Sequence, residues 1–294
     1  EMNRISSLHK PVAVLVLGLA ITGCGKSMSE VSGKVTYNGK PLKGGSVQFL
    51  GSDGVGYPAV INENGEYSTK VATGEAKAGN DFVLRLAERD VPMVVVGRAL
   101  NHPHVDRVTA DHWKGAYEAI EHLIALGHRR IGFVGVSAIN GAGLRRYQGY
   151  LDALREHDLP MDEKLIVGPA SQFGPGYSTQ DDGYAGMKKL LALKKRPTAV
   201  FARNDFTAMG AICAVRDAGL SIPEDVAIVG FDNVPLAAYT TPPLTTVDQP
   251  TKEQGREAAR LLLERIEGDK TRERREICLD CHLVVRQSTV NDTN

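Results

Sequence analysis

The chain has 294 residues, enough for about two domains and a sizeable core. Its 35 Lys and Arg balance 35 Asp and Glu, so net charge excludes a purely electrostatic case for nucleic acid or an anionic membrane as partner. Cysteines stand only at positions 24, 213, 278 and 281, too few and too scattered for a disulfide framework.

Arg4 and Lys10 precede the apolar run Val12 to Ile21, which is followed by Thr22-Gly23-Cys24. A positive start, a short apolar core and small residues before a cut site read as a secretory signal, too short to span a bilayer and expected to be removed. The alternative is a buried amino-terminal strand or helix. Ile21-Thr22-Gly23-Cys24 resembles a bacterial lipobox, which implies lipid attachment at Cys24, a membrane anchor and a periplasmic or surface location.

From Val31 to about Ala78 short apolar runs alternate with Asn38-Gly39, Gly44-Gly45, Asp53-Gly54 and Asn64-Gly65. Asn-Gly and Asp-Gly supply the positive φ of tight hairpins, so antiparallel β structure is expected. VSGKVTYNGKPLKGGSVQFL with NENGEYSTKVATGEAKAG resembles carboxypeptidase-regulatory-like β-sandwich modules, shortened at the carboxyl end. The expected organisation is a signal over 1–24, a partial β module over 25–79 and an α/β domain over 80–294.

Near Asn80 the pattern changes. Apolar strands are expected at Val91 to Gly97 and Ile131 to Val136, with the amphipathic helix Asp111 to Leu126 between them, closed by Gly127 as a left-handed cap. A helix over Leu144 to His157, a strand at Leu165 to Val167 and a helix over Asp181 to Leu193 follow. Arg196 to Asp205, the helix Phe206 to Gly219 and the strand Val226 to Phe231 then form a βαβ unit, which implies a parallel sheet. A short strand at Thr245 to Val247, a helix from Pro250 to Glu267 and a last strand over Glu276 to Gln287 complete a doubly wound α/β architecture. Ligands in such sheets bind at the carboxyl ends of strands, where Asn204, Asp205 and Asp232 stand. Each has a plainer reading as a helix cap or turn residue.

The runs RDVPMVVVGR, HLIALGHRRIGFVG, RRYQGYLDALRE, RPTAVFARND, AMGAICAVRDAGLSIPEDVAIVGFDNVPLAAYTTPPLTTVDQP and LVVRQSTV together resemble the effector-binding domain of the lactose-repressor/galactose-repressor family over about residues 81–294. The resemblance implies the fold of periplasmic sugar-binding proteins, two Rossmann-like subdomains joined by three crossovers. It divides the chain so that Asp81 to Val136 and about Val247 to Gly268 fall in one subdomain, with most of Ser137 to Thr246 and the last strand in the other.

By the same resemblance a cleft holds a small polar effector, a sugar or nucleoside-like molecule. Arg146 matches the arginine that binds a ligand hydroxyl or carboxylate, Asp205 and Asp232 match acidic acceptors beside Asn204, and Asp111 faces the same cleft. Tyr177 and Phe173 are the candidates for an aromatic wall. A homodimer is expected by the resemblance alone. The helix-turn-helix that would make DNA a partner, and the strands ahead of Pro92, have no counterpart in the motifs above. The chain therefore reads as two incomplete pieces meeting near Gly79, with apolar sheet edges left unpaired.

Cys278-Leu279-Asp280-Cys281-His282 fits C-x-x-C-H, a haem-attachment spacing, but it lies inside a strand-like run and no second cysteine pair exists for zinc. There is no G-x-S-x-G elbow and no P-loop spacing. His102, His104, His112, His122 and His128 lack metal-ligand spacing and read as surface or cap residues. The expectation is a non-catalytic effector-binding domain without cofactor or metal, cytoplasmic by its α/β part. The alternative is a lipid-anchored exported structural or interaction protein with a remnant α/β domain.

Overall fold

The computed structural model describes residues 62–64, 66, 92–97, 100, 102–135, 141–168, 179–268 and 273–290, together with the backbone of the strand segments 14–16, 27–34, 36–37, 40–41, 46–50, 56–60 and 67–73. The chain divides into two compact units, one of residues 1–109 and 252–277, the other of residues 110–251 and 278–294.

The first unit opens with β1 (Val14–Val16), β2 (Ser27–Lys34), β3 (Thr36–Tyr37), β4 (Lys40–Pro41), β5 (Ser46–Leu50), β6 (Gly56–Val60) and β7 (Glu66–Thr73). Antiparallel pairing joins β3 to β4 and β5 to β6, the strands that flank Asn38-Gly39 and Asp53-Gly54 in sequence, and also β2 to β7, a long-range pair that the turn signals do not predict, in three separate two-stranded sheets. Next come β8 (Met93–Val96) and β9 (Asp106–Ala110). β1 pairs in parallel with β8, placing Val14 opposite Met93. The Val-Leu-Val run of β1 suits a pleated surface and gives β8 a neighbour on that side. Cys24 lies outside the described residues.

The second unit contains α1 (His112–Ala125), β10 (Ile131–Val134), α2 (Gly141–Glu156), β11 (Ile166–Val167), α3 (Gln180–Leu191), β12 (Ala199–Ala202), α4 (Asp205–Asp217), β13 (Ala227–Asp232) and β14 (Thr245–Asp248). After α5 (Thr251–Glu267) come β15 (Glu276–Leu279) and β16 (His282–Val284). The sheet order is β11-β10-β12-β13-β14-β16, parallel except for β16, which runs antiparallel to β14. Strand alternation fills both faces. Phe133, Ala199, Phe201, Val229 and Phe231 pack on one side with Ala116, Ile120, Tyr150 and Ala153 of α1 and α2. Val134, Val200, Ala202 and Ile228 pack on the other with Met187, Leu190, Ala208 and Ala211 of α3 and α4. A strand buried on both faces reads as a continuous apolar run, which is why these strands were easy to locate.

Two expectations change. α1 and β10 belong to the second unit, so the first passage between units falls at 109/110 and not after Val136. The reason is register: Ile131–Val134 pairs residue for residue with Ala199–Ala202. The last strand is not continuous over Glu276 to Gln287. It breaks at Asp280-Cys281, where Asp280 turns out to accept from Lys114 Nζ at 2.8 Å and Cys281 turns into the core.

Candidate functional site

The carboxyl ends of β12, β13 and β14 bring Arg203, Asp232 and Gln249 together, and Arg146 reaches them from α2. Arg146 is 6 % exposed, and Nη1 donates to the Arg203 carbonyl at 2.5 Å while Nη2 donates to Asp232 Oδ1 at 3.1 Å. Nη2 also lies 3.5 Å from His112 Nδ1. The guanidinium carbon sits 3.7 Å from the centre of the Phe231 ring, a cation–π contact on a strand residue of the core. Nε is buried without a hydrogen-bond partner among the described residues. Guanidinium groups in protein interiors are ordinarily saturated, and Arg107 and Arg275 share this buried Nε without a partner among the described residues.

Asp232 Oδ1 accepts from both Arg146 and Gln249 Nε2, the latter at 2.6 Å, and Oδ2 takes no hydrogen bond among the described residues. Its side chain remains 27 % exposed. Burial raises its pKa, opposed by the charge and hydrogen bond of Arg146. The backbone here is strained: Asp232 has φ +113° and Asn233 φ +49°, both in a region that favours glycine.

Asp205 begins α4 and is fully buried. Its Oδ2 accepts from Val234 N at 2.8 Å and its Oδ1 from Thr246 Oγ1 at 2.5 Å. Burial pushes its carboxyl up to about 7, against those two bonds. Asn204 caps α4, its Oδ1 accepting from Thr207 N at 2.9 Å and Thr207 Oγ1 at 2.7 Å, while the amide Nδ2 has no partner among the described residues. Asp111 caps α1 by accepting from Lys114 N at 3.0 Å. Capping of this kind contributes about 1 kcal/mol. Tyr177 and Phe173 lie outside the described residues.

The geometry thus joins Arg146 to Asp232 directly, places Asp205 behind them, and gives Asn204 and Asp111 capping roles at helix starts. Sequence reasoning missed His112, Arg203, Phe231 and Gln249. His112, expected at the surface or as a cap, is 7 % exposed, its ring centre 5.7 Å from that of Phe231. Burial, then Arg146 and Arg145, pull it down to about 3. Burial and Arg146 likewise lower Arg203 to about 10. A neutral imidazole beside a guanidinium accepts where an imidazolium would repel. Gln249 stands in the quoted VDQP at a strand end, a signal that could have drawn attention to it.

No group of side chains able to hold a metal occurs among the described residues. Cys281 is buried, its thiol pushed up to about 12 by that burial, whereas Cys278 is exposed. Packing therefore accounts for one cysteine of the C-x-x-C-H run.

The model of the periplasmic binding protein-like domain family matches residues 120–289, which include most of this doubly wound parallel unit. The chain belongs to this family, in the form found in LacI-type transcriptional regulators. It is 37 % identical over 203 residues to the HTH-type transcriptional repressor PurR of Actinobacillus pleuropneumoniae, covering 69 % of this chain and 58 % of that protein. The chain thus spans somewhat over half the length of this curated relative. A solved complex of the transcriptional regulator CelR with cellobiose is 40 % identical with a TM-score of 0.62, over 69 % of this chain and 60 % of that one. A LacI family transcriptional regulator from Enterococcus faecium, solved with bound ribose, is 31 % identical with a TM-score of 0.64, over 72 % and 76 % of the two chains.

Proposed function

We propose that the second unit binds a small polar effector, a sugar or nucleoside-like molecule, through Arg146, Asp232 and Asn204, and that this binding serves transcription regulation. The observation that carries the reading is a carboxylate bonded through Oδ1 to the buried Arg146 guanidinium and to Gln249, with Oδ2 taking no hydrogen bond among the described residues and the side chain 27 % exposed. An uncommitted carboxylate oxygen accepts from a ligand hydroxyl, and charged partners give the stronger hydrogen bonds. The neutral Asn204 amide adds a donor. Relatives solved with cellobiose and with ribose support the sugar class, and the regulator names of PurR and CelR support the role. Arg146, Arg203 and Asp232 bind and orient; none is disposed as a nucleophile with an adjacent base, so the reading is non-catalytic. Ligand acts by shifting the population of conformations toward the one it binds better.

Titration calorimetry of the full chain against D-ribose, cellobiose and adenosine tests this. Binding of at least one is expected, weakened about tenfold or more in Asp232→Asn, since loss of a charge-assisted bond of roughly 1.5–3 kcal/mol has that effect. No binding of any panel member by the folded chain would contradict the proposal.

A further inference from the structure

The strained turn at Asp232-Asn233 is held from behind by a chain of bonds that the effector reading does not use. Thr246 Oγ1 accepts from Asn233 N at 3.3 Å and donates to Asp205 Oδ1, while Asp205 Oδ2 accepts from Val234 N at 2.8 Å. The Asn233 side chain is fixed at both ends: Nδ2 donates to Asp248 Oδ1 at 2.8 Å and Oδ1 accepts from Arg286 Nη2 at 2.8 Å. The Asp205 carboxylate also fills the space beside Gly230, where an added Cβ would stand 2.3 Å from Oδ1. Two consecutive non-glycine residues at positive φ persist only where the surroundings over-determine them. Asp205 and Thr246 supply that determination at the two amides immediately after Asp232.

We propose that Asp205 and Thr246 are positioning residues, which clamp the turn so that Asp232 presents one oxygen to Arg146 and Gln249 and the other outward. Asp205 then acts through Asp232 and does not touch the ligand. Its full burial and its two committed oxygens carry this assignment over direct contact. The proposal rests on Asp232 being the ligand-facing carboxylate, and its test uses ligand-free protein so that the two stand or fall separately.

The test is amide hydrogen exchange and carboxyl titration by NMR on the full chain carrying Thr246→Val, with Asp205→Asn as the shape-preserving second variant and Thr246→Ser as rescue. In both disabling variants the Asn233 and Val234 amides are expected to exchange about tenfold faster or more, the scale of one lost hydrogen bond. The amides of Ile131–Val134 should not change. Asp232, released toward water, should titrate nearer the ordinary carboxylate range, and Thr246→Ser should restore both signals. Unchanged exchange at Asn233 and Val234 would overturn the clamp. So would faster exchange that spreads equally to Ile131–Val134, which marks a general loss of structure, or a looser turn with Asp232 titrating as before.

Discussion

Each unit buries one arginine against an aspartate, and the two pairs differ in completeness. In the first unit Arg265 Nε donates to Asp106 Oδ2 at 2.7 Å and Nη2 to Oδ1 at 2.8 Å, a bidentate fork with side chains 3 % and 0 % exposed. Asp106 is further held by the Arg275 amide at 2.7 Å and by Arg275 Nη2 at 3.2 Å. In the second unit Arg146 meets Asp232 through one oxygen only, and Oδ2 takes no hydrogen bond among the described residues. A carboxylate with both oxygens bonded specifies structure, whereas one with an uncommitted oxygen keeps an acceptor available. The difference separates the aspartate that holds β9 and α5 together from the one that, in the proposed function, meets the effector.

The contrast can be broken most severely at Arg265. Arg265→Met leaves Asp106 buried with half its partners and is expected to cost about 3–5 kcal/mol in urea unfolding; a cost below about 1 kcal/mol would show that the fork is not structural. Next is the scaffold around Arg146. A Cβ at Gly183 would stand 1.9 Å from the Thr207 carbonyl across the α3–α4 contact, and one at Gly210 equally close to the Gln180 carbonyl. Gly183→Ala is therefore expected to lose roughly 1–3 kcal/mol. That result would show the spare capacity of the strand ends to be local, set in a tightly packed frame.

A pH series sharpens the picture of Arg146. His112 has a folded pKa of about 3, depressed from 6.5, so the unfolded chain binds the extra proton between those values. Stability from this group is present above pH 6.5 and is lost as pH falls toward 3. Asp205, raised to about 7, has the opposite sign: its folded state holds the proton, and its contribution declines as pH rises from about 4 to 7. His112→Gln should accordingly lose about 2 kcal/mol less stability than the parent on going from pH 7 to pH 5, at about 1.4 kcal/mol per unit. Equal losses would mean that His112 is protonated in the folded chain. The smallest effect is expected at Lys114, whose exposed pair with Asp280 should give no measurable change in Tm for Lys114→Ala.

Most of the second unit is legible in the sequence. Strands buried on both faces, such as Ala199–Ala202, give unbroken apolar runs, and Gly127 with φ +95° closes α1 as expected of a left-handed cap. Arg146 and Asp232 stand in long motifs, and the structure joins them in an ion pair at 3.1 Å. What was not legible depends on neighbours in space. Thr246 meets Asp205 and Asn233 only because β14 lies beside β13 in register, and His112 meets Arg146 only because α1 and α2 pack on one face of the sheet. Asp205 looked like its acidic neighbour Asp232 in sequence; depth, not residue type, separates them. The interruption of the last strand followed from Cys281 taking a core position, which a continuous strand pattern conceals.

The most direct measurement is titration calorimetry of Arg146→Lys beside the parent with D-ribose, cellobiose and adenosine. Lysine keeps the charge but loses the planar fork and its stacking on Phe231. A ligand bound by the parent is expected to be bound about tenfold or more weakly by Arg146→Lys while the variant stays folded. Equal affinity for the two proteins would contradict the proposed function.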